Sequence, residues 1–235
     1  KKRVHMDNNF NWIFKPSDSL SSQGISIAKC ELEQKEAFGF AYSFSESKTV
    51  ICEEYIIGSL HDINGIITKD KFYPLGINDK KAGPPPRAVV VEGSAPTSLS
   101  VEKQKILYNL FEKACRSVGL SYGQVKGDSI LSENGSFYIM EVAPRLHGPL
   151  GSIYLLPNAI KINPFKELIH FYLNKTVNIH NPLKKFKKNV TVEAVDKKPT
   201  IENEKIIKIL EKEGLYDKIK WESNNDVPFY LVKNE

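Results

Sequence analysis

The spacing of apolar positions changes several times along the chain, and each change predicts an element. Trp12, Ile13 and Phe14 lead into Lys15-Pro16 as a strand, and Ile25 and Ile27 resume it after a polar loop from Ser17 to Gly24. A helix or turn is expected through Glu31 to Phe38, followed by a strand from Val50 to Gly58. Asp62–Ile67 and Lys71–Leu75 read as a strand pair turned at Lys69-Asp70. Residues 80–87, KKAGPPPR, carry too much Pro and Gly for regular structure, and read as an active-site loop or a surface crossing. The clearest helix starts at Ser100, has Glu102 at its positive end and stops at Gly119. Its apolar stripe is Ile106, Leu107, Leu110, Phe111, Ala114, Cys115 and Val118. Asn163 and Pro164 open another helix, expected to bury Leu168, Ile169, Tyr172 and Leu173 and to end at Asn174. From about His180 the pattern reads strand (Val190 to Ala194), helix (Glu202 to Gly214) and short strands near Ile219 to Trp221 and Phe229 to Val232.

Between the two clear helices lies KGDSILSENGSFYIMEVAPRLHG, Lys126 to Gly148, where two strand-like runs flank Glu133-Asn134-Gly135-Ser136. Asn-Gly tolerates the positive φ angles of a type I′ turn, so a two-residue loop is expected. Positions then mirror about the turn, which sets Asp128 opposite Glu141 and Ile130 opposite Ile139. Cβ atoms of opposed residues lie about 5 Å apart, and two carboxylates so placed repel unless something positive joins them. Oxygen-only ligation of this kind suits Mg²⁺ or Mn²⁺ held partly by substrate phosphates. Alternation adds Lys126, Ala143 and Arg145 to the charged face and turns Val125, Leu131, Tyr138, Met140 and Val142 to a packing face. The plainer alternative is an exposed hairpin whose acidic pair is merely solvated.

Composition narrows the classes. A chain of 235 residues that is 41% hydrophobic can bury one large or two modest cores. It contains no apolar run of membrane-spanning length, and KKRVHMDNNF has a basic cluster without the apolar segment of a signal peptide, so a cytoplasmic location with no membrane partner is expected. Three widely spaced cysteines, Cys30, Cys52 and Cys115, suggest neither a disulfide framework nor a zinc site. The net charge of +5 and the run Lys184-Lys185-Phe186-Lys187-Lys188 come with no nucleic-acid motif, so no nucleic-acid partner is expected; a mild positive field would suit anionic substrates.

Asp128, the hairpin and then Met-Glu-Val-Ala-Pro-Arg-Leu-His-Gly together resemble the signature of the ATP-grasp superfamily, in its carbamoyl phosphate synthase-like and carboxylate-amine ligase branch. The resemblance runs from about Lys15 to about Asn174. It implies an α+β ATP-grasp fold: residues 1–52 as the remaining part of a small lid subdomain, 53–179 as a larger mixed subdomain with hinge and metal hairpin, and 180–235 as a small α+β appendage. It implies Asp128 and Glu141 as Mg²⁺ ligands, and Arg145 and Lys126 as catalytic residues, Arg145 holding the transferred phosphate. Lys15 resembles the lysine on the α- and β-phosphates of ATP, and Ser21, Ser22, Gln23 and Gly24 the phosphate-covering loop. Glu53, Glu54, Tyr55 and Ile56 correspond to the hinge that takes the adenine edge.

Two positions depart from the pattern. Ala143 stands where many members have Asn, which leaves a second metal position open, and the ribose-binding Glu is missing after Gly58, with His61 as a substitute or a structural residue. The family's separate N-terminal domain is expected to be lacking, the sequence being either a fragment of a longer enzyme or a member that has lost that domain. The activity implied is ATP-dependent activation of a small-molecule carboxylate as an acyl phosphate and its ligation to an amine, with a homodimer as a candidate assembly. A grasp-fold kinase and a non-catalytic nucleotide-binding module are the alternatives.

Overall fold

The computed structural model describes residues 11–20, 22–86, 90–148, 150–174, 176–177, 189–195, 216–219 and 229–234. They fall into two compact units, Lys1–Ile57 with Ala82–Val90, and Gly58–Lys81 with Val91–Glu235. Among the described residues no helix is long and apolar enough to cross a membrane.

The first unit is a three-stranded antiparallel sheet in the order β2-β1-β3, formed by β1 (Trp12–Pro16), β2 (Ser26–Ala28) and β3 (Val50–Glu54), with one helix, α1 (Glu31–Phe44). The β1–β2 hairpin agrees with the sequence pattern, whereas α1 runs past Phe38 to Phe44 and β3 stops at Glu54. Glu31 and Glu33 favour the positive end of α1, and the Glu33 carboxylate accepts the Lys29 N–H at 2.7 Å. Ala37 and Ala41, four residues apart, let the helix settle closely on Phe14 and Ala28 of the sheet.

The second unit is built on an eight-stranded sheet in the order β10-β11-β9-β6-β5-β4-β7-β8. Its strands are β4 (Gly58–Ile67), β5 (Phe72–Ala82), β6 (Val90–Ala95), β7 (Gly123–Ser132), β8 (Phe137–Ala143), β9 (Val190–Val195), β10 (Tyr216–Ile219) and β11 (Phe229–Asn234). The C-terminal strands, expected as a separate appendage, add to this same sheet through the pairing of β9 with β6. The expected helix from Glu202 to Gly214 lies outside the described residues. β5 continues through Ala82, so Lys80 and Lys81 are strand residues rather than the start of a loop.

One sheet face is covered by α2 (Val101–Ser117), whose Leu107, Phe111 and Cys115 pack on Ile63, Ile77 and Val125. Ser100 caps it by accepting the Lys103 N–H at 3.3 Å, as its sequence predicts. A helix lying on a sheet buries only a narrow stripe, so Tyr108 goes inside while Ile106 and Val118, expected in the stripe, remain exposed. The opposite face is half covered by a π-helical turn (Leu150–Leu155), α3 (Leu156–Ile160) and α4 (Pro164–Asn174), which close on Ile66 and Leu75. Asn163 caps α4 by accepting the Lys166 N–H at 3.1 Å. Of its apolar residues Pro164 and Phe171 are buried; Ile169, Tyr172 and Leu173, expected inside, are exposed. Polar residues of β4, β5 and β7 on this face hold the candidate site.

Candidate functional site

The β7–β8 hairpin sets the site. Asp128 lies opposite Glu141, as the alternation requires, but by a different route from the expected one. The loop has three residues: Ser132 N–H bonds to the Ser136 carbonyl at 2.9 Å, and Gly135 takes the left-handed conformation at φ +86°. That slips the register by one, so Ile130 pairs with Tyr138 instead of Ile139, and a β-bulge between Asp128 and Ser129 restores it. The bulge also corrects the faces. Phe137, Ile139 and Val142 pack under α2, whereas Tyr138 and Met140, expected to pack, are exposed. Gly127 seats the hairpin on the helix, because a Cβ there would overlap the Phe111 ring and come within 3.0 Å of the Glu141 carbonyl oxygen.

Antiparallel pairing extends the polar face across β4 and β5, with Asp62 opposite Asp128, Asn64 opposite Lys126, and Asn78 opposite Asp62. Lys80 Nζ reaches Asp62 Oδ1 at 2.5 Å and Asp128 Oδ1 at 3.1 Å. Lys126 Nζ lies 2.7 Å from Asp128 Oδ1 and 3.6 Å from Glu141 Oε1. The Arg145 guanidinium is 4.0 Å from Glu141 and donates to the Leu146 carbonyl at 3.1 Å. His147 Nε2 pairs with Asp62 Oδ2, and its backbone N–H donates to Asn64 Oδ1 at 3.0 Å. Three carboxylates and three permanent cations thus interleave on one sheet face.

The electrostatics divide the carboxylates. Burial pushes the Asp62 carboxyl up, but the His147 ring, a hydrogen bond with Asp128 and the Lys80 ammonium hold it well below the usual carboxylate range. Asp128 goes the other way, to about 6, through burial, the hydrogen bond with Asp62 and the Asp62 charge, against the pull of Lys80 and Lys126. Lys80 is held above its ordinary value: its burial is outweighed by Asp62 and Asp128. Asp62 and Asp128 therefore titrate as a linked pair in which Asp62 keeps the charge and Asp128 takes the proton first.

Asp128 and Glu141 present carboxylate oxygens from opposed positions on β7 and β8. Among the described residues no group of three or more His, Cys, Asp or Glu side chains gathers to form an all-protein metal cage. Two carboxylates on neighbouring strands match the donor set of Mg²⁺ completed by substrate oxygens. Asp62, fully buried and taken by Lys80 and His147, is a partner of this pair rather than an open ligand.

The other expected residues lie as follows. In the first unit Lys15 and Glu53 form an ion pair across β1 and β3. Ser22, at φ +59°, Gln23 and Gly24, at φ +74°, form the turn between β1 and β2, and Ser21 lies outside the described residues. Glu54 ends β3, the Tyr55 N–H donates to the Asn11 carbonyl at 2.8 Å, and Ile56 is half-buried. His61 is not brought to the Asp128 face. Strand alternation turns it away from Asp62, and its ring is buried between Asp79 and Ser59. The residues that sequence reasoning missed are Asp62, Lys80 and His147. Extending the hairpin alternation past Leu75 would have placed Lys80 beside Asp62, but Gly83-Pro84-Pro85-Pro86 obscures it.

The family model of the ATP-grasp domain matches residues 3–149. No curated relative matches the sequence. Among solved structures, the L-amino acid ligase from Bacillus licheniformis superposes with a TM-score of 0.72 at 15% identity, covering 99% of this chain and 61% of that one. The N5-carboxyaminoimidazole synthetase from Staphylococcus aureus complexed with ADP gives 0.70 at 13%, covering 95% and 57%. The biotin carboxylase domain dimer of the Hydrogenobacter thermophilus 2-oxoglutarate carboxylase, in complex with MgADP, ADP and bicarbonate, gives 0.69 at 15%, covering 95% and 52%. The chain thus spans about half to three fifths of these neighbours.

Proposed function

Because the chain belongs to the ATP-grasp family, on a match from residue 3 to residue 149 of 235, we propose that it is an ATP-dependent ligase acting on a small-molecule carboxylate and an amine or similar nucleophile. The observation that carries this reading is the Asp128–Glu141 pair on adjacent strands, ringed by Lys80, Lys126 and Arg145. Asp128 and Glu141 would hold Mg²⁺, which supplies charge neutralisation between the phosphates of ATP.

In this reading a carboxylate oxygen of the substrate attacks the γ-phosphorus and the bond to ADP breaks. The amine nitrogen then attacks the acyl carbon, inorganic phosphate leaves, and the amine loses a proton. Charge accumulates on the transferred phosphoryl oxygens, and fixed cations act most where charge develops. Arg145 supplies a planar fork that can hold two such oxygens, and it is half-exposed beside Glu141, free of any buried ion pair. Lys126 and Lys80 sit between carboxylates that hold them in place, so they meet an incoming phosphate already oriented. Lys15, with the turn Ser22–Gly24, is assigned to the nucleotide phosphates, and Glu53, Glu54, Tyr55 and Ile56 to the base. The ADP complexes of the S. aureus and H. thermophilus neighbours support nucleotide use, and the dimer of the latter supports a homodimer as the assembly to test.

The test is acyl phosphate trapping. The full chain, Mg²⁺-ATP, hydroxylamine and a panel of small carboxylates including the amino acids are incubated and assayed for hydroxamate and ADP. Carboxylate-dependent hydroxamate in step with ADP is the expected result. A stable phosphorylated product instead would make the protein a kinase, and nucleotide bound without turnover on any carboxylate would make it a binding module.

A further inference from the structure

On the face of the large sheet turned away from Asp128, three residues that the ligase reading does not use form a continuous hydrogen-bonded chain. Ser59 and His61 are two apart on β4 and so share a side, and Asp79 lies directly across from His61 on β5. Ser59 Oγ is 2.8 Å from His61 Nε2, and His61 Nδ1 is 2.7 Å from Asp79 Oδ1. Both separations lie within the reach that nucleophile and base require.

The direction of the hydrogen bonds follows from Asp79. Its carboxylate accepts from His61, from the Thr97 hydroxyl and from the Ser98 N–H at 2.7 Å. These donors outweigh burial and hold the carboxyl below its ordinary value. An ionised carboxylate accepts only, so Nδ1 carries the proton. In the neutral ring Nε2 is then a lone pair, and the Ser59 hydroxyl donates to it. The imidazole is buried at 1% exposure and cannot swing away, while Ser59 is exposed. A base fixed in the correct tautomer behind an accessible hydroxyl is the arrangement that activates serine, and it is recognised by geometry and roles rather than by sequence order.

We propose that Ser59 is an activated nucleophile, with His61 as its base and Asp79 as the positioning residue, forming a covalent acyl-acceptor site for small activated esters. Ser59 Oγ bonds to the acyl carbon and the ester C–O bond breaks. The serine proton passes to His61 Nε2 and from there to the departing alkoxide, leaving acyl-Ser59 and an alcohol. A fluorophosphonate reports the same nucleophile, with an Oγ–P bond formed, the P–F bond broken and HF released.

The full chain is treated with a fluorophosphonate probe, and the modified residue is mapped by peptide mass spectrometry. Modification at Ser59 is expected, abolished by Ser59→Ala at an unchanged melting temperature, slowed about 100-fold or more by His61→Gln, and lost when the wild-type chain is unfolded in urea. The urea comparison stands even where His61→Gln fails to fold. An unmodified Ser59, or a rate at Ser59 equal in native, denatured and His61→Gln protein, would overturn the proposal and leave the chain of hydrogen bonds as a structural clamp between β4 and β5.

Discussion

Replacing Asp62 by Asn removes the charge at the centre of the site with almost no change of shape. Asp62 has no solvent exposure, and Lys80 and His147 both pair with it. Breaking a buried ion pair from one side costs about 3–5 kcal/mol, because the other charge stays buried without its partner. Lys80 keeps Asp128 at 3.1 Å, which places the expected loss toward the lower end, about 3 kcal/mol. For a chain of this size each kcal/mol moves the melting temperature by about 2–4 °C, so a fall of roughly 6–12 °C is expected in scanning calorimetry of the metal-free protein. Lys80→Met removes the other half at similar volume and should also destabilise. The double variant should recover at least half of the summed loss, since neither charge is then left alone. A melting temperature within 2 °C of wild type for Asp62→Asn, or strictly additive losses in the double variant, would refute the view that Asp62 and Lys80 form one electrostatic unit.

Two further expectations concern the same face. Asp128 is held at about 6, above its unfolded value, so its protonated form contributes stability at acid pH that is lost as pH rises through about 6, while the low value of Asp62 acts in the opposite sense at more acid pH. The proposed metal ligation uses the Asp128 carboxylate, so Mg²⁺ affinity measured by titration calorimetry with ATP present should fall about tenfold per unit below pH 6, and a flat profile from pH 5 to 8 would contradict it. Arg145→Lys should leave nucleotide affinity nearly unchanged and cut turnover by a factor on the order of 100. A parallel loss of melting temperature and affinity, with turnover per folded molecule preserved, would make Arg145 a scaffold residue.

The pairing of Asp128 with Glu141 was legible because the period of a strand is two and Asn134-Gly135 marks the turn, even though loop length and bulge entered with opposite errors that cancel at this pair. They do not cancel for Tyr138 and Met140, which lie between turn and bulge and therefore appear on the wrong face in any regular hairpin. Ser100, Asn163 and Gly119 announced their helix ends by local chemistry, which survives without tertiary context. The join of β9 to β6 was not legible, because strands so distant in sequence choose each other through the sheet edge that the rest of the fold leaves available. Lys80 was hidden by composition: the prolines that follow it end the strand only after Ala82. His61 reads as a candidate ribose ligand in sequence, and its odd-numbered place on β4 sends it to the opposite face.

Asp128 and Glu141 are proposed to hold the metal that brings ATP to this sheet. Titration calorimetry of ATP into the full chain, with and without Mg²⁺, in wild type, Asp128→Asn and Glu141→Gln, tests it most directly. Mg²⁺-dependent binding that weakens at least tenfold in either variant, while the metal-free melting temperature does not fall, is the expected result. Magnesium-independent ATP binding, or unchanged Mg²⁺ dependence in both variants, would contradict it.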